Sequence, residues 1–240
     1  MISLQHVSKR FGDKVVLNDI SFDLPKGSHL CLIGRSGVGK SVLSKLMLGL
    51  LPLEEGEIFF DGHRINALDQ KSWQLLLAKV GVVFQGSALF DSLTVLENVG
   101  MLMFESHTWT EAEIQTKVRR ALEMVQLSPD VMHEYPASLS GGMQKRVGIA
   151  RALIHEPTYL LFDEPTTGLD PINAGAIDEL VLSLREDRAL TTVMVTHDMA
   201  SVKKLATHVA MLHEAKLGFF GEIDAFLGAS HPEVTAFLQR

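Results

Sequence analysis

The sequence is poor in cysteine and in long apolar runs, and each shortage excludes a class of protein. Cys31 is the only cysteine, so no internal disulfide can form. We expect Cys31 to be a small side chain of the core, and the protein to work in a reducing, cytoplasmic compartment. No apolar run approaches the roughly 20 residues that span a bilayer. The first residues lack a basic segment followed by an apolar one, so no signal peptide is expected.

Basic charge is also scarce, since the formal net charge of the chain is −7. A broad electrostatic footprint for nucleic acid is therefore not expected, and nucleic acid is not a predicted partner. The 240 residues are 46% hydrophobic, which is enough to bury the core of one or two domains. Any work at a membrane is expected to go through a partner protein.

A glycine-rich run lies between a strand-like and a helix-like segment: Gly34-Arg35-Ser36-Gly37-Val38-Gly39-Lys40-Ser41. Strand, glycine-rich loop and helix form the context of a phosphate-binding P-loop, because backbone N–H groups and the helix dipole then converge on an anion. Lys40 is expected to reach the β- and γ-phosphates, and the Ser41 hydroxyl to ligate Mg²⁺. The run therefore predicts binding of a nucleoside triphosphate.

Two acidic residues end a later apolar strand, at Asp163 and Glu164. A carboxylate at the end of a buried strand is where P-loop proteins hold Mg²⁺, so Asp163 is predicted to ligate the metal directly or through water. Glu164 is predicted to polarise the attacking water as general base. A second glycine-rich helix start, Ser140-Gly141-Gly142, predicts a serine N-cap and a second anion site.

Periodicity divides the chain into strand-rich ends and a helical middle. A helical stripe covers 111–125, a second helix follows Ser140, and turns are predicted at 25–27, 54–56 and 61–63. The predicted strands are 2–7, 15–24, 28–33, 57–60, 80–84, 159–162, 191–195, 207–213 and 217–220.

With the run Leu139-Ser140-Gly141-Gly142-Met143-Gln144, the chain resembles the ATP-binding subunits of ABC transporters over residues 1–225. The resemblance implies an α/β P-loop NTPase (RecA-like) core with antiparallel strands on its N-terminal side. It implies one ABC ATPase domain, with the core at 1–87 and 156–225, a helical subdomain inserted at 88–155, and a tail at 226–240. It also implies ATP and Mg²⁺ as ligands, and two copies of the chain that sandwich two ATP molecules.

The same resemblance assigns roles to single residues elsewhere. Phe11 resembles the aromatic residue that stacks on adenine, where Tyr is commoner, and Gln85 resembles the glutamine that contacts Mg²⁺ and the attacking water. His197 resembles the switch histidine that contacts the γ-phosphate, and Gly168-Leu169-Asp170 resembles the D-loop of the dimer interface. The other nine histidines have no ligand spacing and are assigned no role.

The segment that follows Gln85 is the most discriminating for a subgroup. Its run Ala88-Leu89-Phe90-Asp91-Ser92-Leu93 resembles the Mce-associated (MlaF-like) ATPases that energise phospholipid movement between bacterial membranes. The run Leu139 to Gln144 resembles the ABC signature, which usually has Gln where this chain has Met143. That methionine and the tail from Glu222 to Arg240 are consistent with the subgroup. It implies a multispanning permease, an Mce-domain substrate-binding protein and a place at the cytoplasmic face of the bacterial inner membrane.

Three other classes remain as alternatives. An amino-acid or methionine importer ATPase would share the core, although the residues around its counterpart of Gln85 and its counterpart of the run Leu139 to Gln144 usually differ. Soluble ABC ATPases of DNA repair or translation usually carry two nucleotide-binding domains or a long coiled-coil insertion. The run Ser140-Gly141-Gly142 argues against the third class, a P-loop kinase.

Overall fold

The computed structural model describes residues 1–187, 190–229 and 232–238. The strands are β1 (Ile2–Phe11), β2 (Lys14–Leu24), β3 (His29–Gly34), β4 (Glu55–Phe60), β5 (His63–Arg64), β6 (Val80–Val83), β7 (Tyr159–Asp163), β8 (Thr191–Val195), β9 (His208–His213) and β10 (Lys216–Glu222). The helices are α1 (Lys40–Met47), α2 (Gln70–Leu77), α3 (Val95–Ser106), α4 (Glu111–Met124), α5 (Gly141–Leu153), α6 (Pro171–Asp187), α7 (Met199–Leu205), α8 (Ile223–Leu227) and α9 (Pro232–Leu238).

The chain forms two compact units. The first contains Met1–Leu77 and Ala189–Arg240, and the second contains Ala78–Arg188. No helix within 1–187, 190–229 and 232–238 is both long enough and apolar enough to cross a membrane.

The first unit holds an antiparallel sheet and a mostly parallel one. The antiparallel sheet has the order β2-β1-β4-β5, as expected for strands joined by short turns. In the mostly parallel sheet, β3 pairs in parallel with both β8 and β9, and β10 runs antiparallel to β9. Every residue of β3 is buried, which explains why its sequence is a continuous apolar run rather than an alternating one.

Two predicted turns of the antiparallel sheet have different outcomes. The turn at Asp61-Gly62 is confirmed: both residues have positive φ, and they form the two-residue loop of the β4–β5 hairpin. The turn at 54–56 is wrong, because Glu55 and Gly56 belong to β4. Gly56 has φ +88°, and a Cβ atom there would collide with the backbone oxygen of His6, where β1 shifts register, so the glycine serves a β-bulge.

The second unit combines the parallel pair β6 and β7 with the long helices. The predicted helices at 111–125 and after Ser140 are confirmed as α4 and α5. Capping boxes begin α3 and α4, and hydrogen bonds from Thr94 and Thr110 lower the pKa of Glu97 and of Glu113. The segment 88–155 lies inside this unit, and its folding as a separate subdomain stays a prediction.

Candidate nucleotide-binding and catalytic site

The glycine-rich run of the first unit is a tight loop between β3 and α1. Gly34 has φ +146°, and a Cβ atom there would lie 2.9 Å from the side chain of Val38. Gly39 has φ +115°, and a Cβ atom there would lie 2.9 Å from the backbone oxygen of Val16. Both positions therefore exclude a side chain, as a loop whose backbone wraps an anion requires.

Lys40 begins α1 and is held in place by the loop itself. Its Nζ donates to the backbone oxygens of Gly34 at 2.8 Å and Arg35 at 3.1 Å. The residue is only 7% exposed. The cation is thus fixed beside the loop before any phosphate arrives, while Ser41 on the next position is exposed.

A cavity of about 460 Å³ flanks the glycine-rich loop in the first unit. Phe11, 50% exposed, ends β1 and pairs with Lys14, which lines that cavity. The Nζ of Lys9 lies 5.4 Å from the centre of the Phe11 ring. The cavity wall consists of Lys14, Val15, Val16, Asn18, Gly37, Val38, Glu214 and Ala215.

His197 follows β8 at the edge of the sheet from which the glycine-rich loop also leaves. Leu32 pairs with Val195 across the parallel strands β3 and β8, and both chains leave the sheet within two residues of that pair. The carboxyl ends of parallel strands form the binding edge of open α/β sheets. The imidazole of His197 is exposed at this edge.

The acidic pair of the second unit meets Gln85 at the ends of β6 and β7. Val83 pairs with Phe162, so Gln85 and Glu164 each lie two residues beyond this rung. The Nε2 of Gln85 is 3.4 Å from the Oε2 of Glu164, a long contact. The same carboxylate oxygen accepts a hydrogen bond from the hydroxyl of Thr167 at 2.9 Å.

The Glu164 side chain is therefore oriented through one oxygen, Oε2, and chiefly by the bond from Thr167. Its backbone adopts φ +48°, a left-handed conformation that is uncommon for a residue other than glycine. Asp163 is half-buried at the last position of β7. Two carboxylates and one amide thus gather at one edge of the second unit.

The second glycine-rich helix start lies in the same unit and opens α5. The hydroxyl of Ser140 caps the helix by accepting from the N–H of Met143 at 3.3 Å. Gly142 is buried, and a Cβ atom there would lie 3.0 Å from the Oδ1 of Asn173. Asn173 in turn donates to Asp170, and hydrogen bonds from Asn173 lower the pKa of that carboxyl. The helix start is therefore packed against the Gly168–Asp170 loop.

Sequence reasoning missed three residues that shape the segment after Gln85. The cationic side chains of Lys145 and Arg151 donate to backbone oxygens of that segment, and Asn98 is fully buried beneath the stretch that follows it. The available signal was two cations, each three residues from Gly148, on one face of a helix that is buried on most of its sides. A cation on such a face requires a polar partner.

Residues 17–167 match the ABC transporter family, and the chain belongs to that family. It is therefore an ATP-binding cassette that hydrolyses ATP, and the α/β P-loop NTPase fold predicted for it is confirmed. Among solved structures, the chain is similar to the cassette MJ0796, which was solved as a dimer in a post-hydrolysis state with ADP and Pi. The two share 30% sequence identity, and the TM-score is 0.83. That likeness covers 93% of this chain and 99% of the other.

Curated relatives carry different transport names. The chain is 36% identical to protein TRIGALACTOSYLDIACYLGLYCEROL 3, chloroplastic, of Arabidopsis thaliana, over 99% of this chain and 73% of that one. It is 34% identical to a probable ribonucleotide transport ATP-binding protein mkl of Mycobacterium leprae, over 99% and 68%. It is 42% identical to the methionine import ATP-binding protein MetN 1 of Rhodopseudomonas palustris, over 95% of this chain but 60% of that one.

Proposed function

We propose that this chain energises phospholipid transport between bacterial membranes, as the ATP-hydrolysing subunit of a transporter whose permease it contacts at the cytoplasmic face of the inner membrane. The observation that carries the chemical half of the proposal is the cluster of Gln85, Glu164 and Thr167. It supplies an oriented carboxylate at the end of a parallel strand, where a general base for water attack belongs.

In this proposal each side chain has one task. The loop backbone and Lys40 bind the β- and γ-phosphates, Phe11 contacts the adenine, and His197 contacts the γ-phosphate. Glu164 accepts the proton of the attacking water while Gln85 helps to orient that water.

The oxygen donors of Ser41, Gln85 and Asp163 fit Mg²⁺, which prefers hydroxyl, amide and carboxylate oxygen together with water and phosphate. The amide nitrogen of Gln85 faces Glu164, so its amide oxygen is the atom that would ligate the metal. When bound, Mg²⁺ neutralises charge that develops on the phosphate oxygens.

Two copies of the chain work together in this proposal. Ser140, Gly141 and the first N–H groups of α5 form a helix start whose serine and first glycine are exposed. Such an end attracts the γ-phosphate held by a partner copy. The dimeric form of the similar cassette MJ0796 supports this arrangement.

The lipid assignment is supported by sequence likeness and by a surface. The Arabidopsis relative bears a glycolipid in its name, and it is similar over nearly the whole of this chain. The run from Ala88 to Leu93 and the methionine at 143 resemble Mce-associated ATPases. An Mce-domain protein is accordingly the proposed substrate-binding partner.

The surface lies on the second unit, around Phe90. Its ring is 50% exposed, and its backbone is fixed by Asn98, which both donates to and accepts from it. Leu102 follows Asn98 by one turn of α3 and is 56% exposed. Exposed apolar side chains beside the buried amide of Asn98 are typical of a docking surface. We assign this surface to a helix of the permease.

Replacing both Leu89 and Phe90 with Ser should abolish association with the permease, because it removes the apolar side chains that would enter the interface. The measurement is recovery of the permease when each tagged variant is pulled from native membranes in mild detergent. Leu75→Ser is the matched control, since Leu75 is 63% exposed but lies on the first unit. Equal permease recovery with the double variant and with wild type would contradict the docking surface.

Replacing Lys40 with Ala should weaken ATP binding by roughly 10- to 100-fold, because charge-assisted hydrogen bonds to phosphate are lost. Calorimetric titration with ATP in the presence of Mg²⁺ measures the change. Lys45→Ala removes an exposed lysine from the last turn of the same helix and should leave the affinity unchanged. ATP affinity of Lys40→Ala within a factor of two of wild type would exclude the assigned role.

The experiment that tests the transport proposal is a pull-down of the wild-type chain from native membranes, with proteins and lipids identified by mass spectrometry. Recovery of a multispanning permease, an Mce-domain protein and phospholipid is expected. Recovery of an amino-acid permease, or of no membrane protein, would contradict the lipid assignment.

A methionine or amino-acid importer is the second candidate. It is favoured by the 42% identity to MetN 1, the highest figure among the three relatives named above. This alternative predicts an importer permease in the pull-down and ATP turnover that responds to the amino acid rather than to lipid.

A further inference from the structure

The turn that follows Gln85 has an unfavourable backbone conformation. Ser87 and Ala88 have φ of +60° and +48°, so two successive residues that are not glycine lie in the left-handed region. Ser87 is only 3% exposed. Such a turn persists only where neighbouring groups hold it. Within the turn, the N–H of Ser87 donates one hydrogen bond to the backbone oxygen of Phe84.

One face of α5 holds this turn. The Nζ of Lys145 donates to the backbone oxygen of Gln85. The guanidinium of Arg151 donates through Nη1 to the oxygen of Ala88 and through Nη2 to the oxygen of Ser87, both at 2.7 Å. Gly148 lies between the two cations, and a Cβ atom there would be 3.3 Å from the oxygen of Ser87. These positions recur every three residues, so they share one face of the helix.

Burying the two cations has a desolvation cost. Burial lowers the pKa of Lys145 and that of Arg151, which means that the charged form of each is disfavoured by its surroundings. Neutral or apolar side chains would avoid this desolvation. What the cations add is geometry, since three charge-assisted bonds fix the backbone oxygens of Gln85, Ser87 and Ala88.

The turn so held carries Gln85, whose side chain approaches Glu164. The same helix begins at Ser140-Gly141-Gly142. Lys145 bonds the backbone oxygen of Gln85 directly, and Arg151 bonds those of Ser87 and Ala88, so a movement of α5 would be transmitted to the turn that carries Gln85.

We propose that Lys145 and Arg151 are positioning residues, which set the place of Gln85 relative to Glu164 and so link the start of α5 to the hydrolytic step. This inference rests on the roles given above to Gln85 and Glu164. It assigns the two cations no contact with nucleotide, metal or water.

The test is a double-mutant cycle in the full-length protein. Arg151→Lys keeps the charge but cannot reach two carbonyls in the fork geometry of Arg. It should lower kcat for ATP about 10-fold through misplacement of a catalytic group, and leave the ATP dissociation constant within about twofold. In a Gln85→Ala background the same change should cause no further loss of kcat, because the residue that it positions is already absent.

Arg146→Lys is the matched control. Arg146 lies on the same helix and donates through Nη1 to the backbone oxygen of Val125 at 2.8 Å, away from the Gln85 turn. It should leave kcat unchanged. Thermal unfolding is recorded for every variant, and Lys145→Met replaces Arg151→Lys in the cycle if the latter does not fold.

Losses from Arg151→Lys and Gln85→Ala that multiply in the double variant would overturn the proposal. So would a loss of kcat in Arg146→Lys equal to that in Arg151→Lys, or an unchanged kcat in Gln85→Ala. Failure of the proposed function gives a different pattern, since ATP turnover by the wild-type protein would then not respond to its membrane partners, whatever the outcome of the cycle.

Discussion

Replacing Glu164 with Gln should leave ATP bound and almost unhydrolysed. The amide keeps the size of the side chain and can still meet Thr167, but it cannot accept a proton from the attacking water. Since general-base catalysis contributes on the order of 10²- to 10⁴-fold, kcat should fall by at least about 100-fold. The ATP dissociation constant should stay within about threefold, because Lys40 and the glycine-rich loop are unchanged.

Single-turnover hydrolysis, measured beside equilibrium ATP binding, separates these two quantities. Glu105→Gln, at an exposed position of α3 in the same unit, is the control and should turn over ATP like wild type. Turnover by Glu164→Gln at the wild-type rate would show that another group accepts the proton.

Replacing Ser140 with Arg should abolish ATP turnover while leaving ATP binding to a single chain unchanged. The exposed start of α5 would then carry a long side chain that fills the space through which a phosphate is proposed to approach the helix N–H groups. The lost N-cap alone costs about 1 kcal/mol of stability, which would not stop catalysis. The expected loss of kcat, at least about 100-fold, corresponds to about 2.7 kcal/mol of transition-state stabilisation.

Ser128→Arg is the control for the loss of the cap. Ser128 also caps a helix, the short 3-10 helix Pro129–His133, through a bond to the N–H of Asp130. Its replacement should lower stability by a similar amount without changing kcat. Equal turnover by Ser140→Arg and wild type would exclude the phosphate contact at α5.

The glycine-rich motifs and strand ends could be predicted because their chemistry is local. Gly34 to Ser41 needs its particular residues in that order, and β3 contains a continuous apolar run because all of its residues are buried. The serine cap of α5 could be predicted for the same reason. The predicted site residues fall in both units: the glycine-rich loop, Phe11 and His197 in the first, and Gln85, Asp163, Glu164 and Ser140 in the second.

What could not be predicted depends on contacts between residues distant in sequence. Arg151 is 64 residues from Ser87, and nothing local marks either as the partner of the other. Gly56 beside Glu54 and Glu55 is typical of a turn in the sequence. In the structure it lies in β4, at a bulge that its pairing with β1 creates. The sequence pattern likewise does not predict that Asn173, near the start of α6, lies so close to Gly142 of α5 that a Cβ atom at 142 would be 3.0 Å from its Oδ1.

In the proposed mechanism ATP joins two copies of this chain through Ser140. The most direct test compares Glu164→Gln with the double variant Glu164→Gln/Ser140→Arg by light scattering, with and without ATP and Mg²⁺. We expect ATP to convert the single variant from monomer to dimer with one ATP bound per chain, whereas the double variant should bind ATP and stay monomeric. An ATP-dependent dimer formed equally by both variants would contradict it.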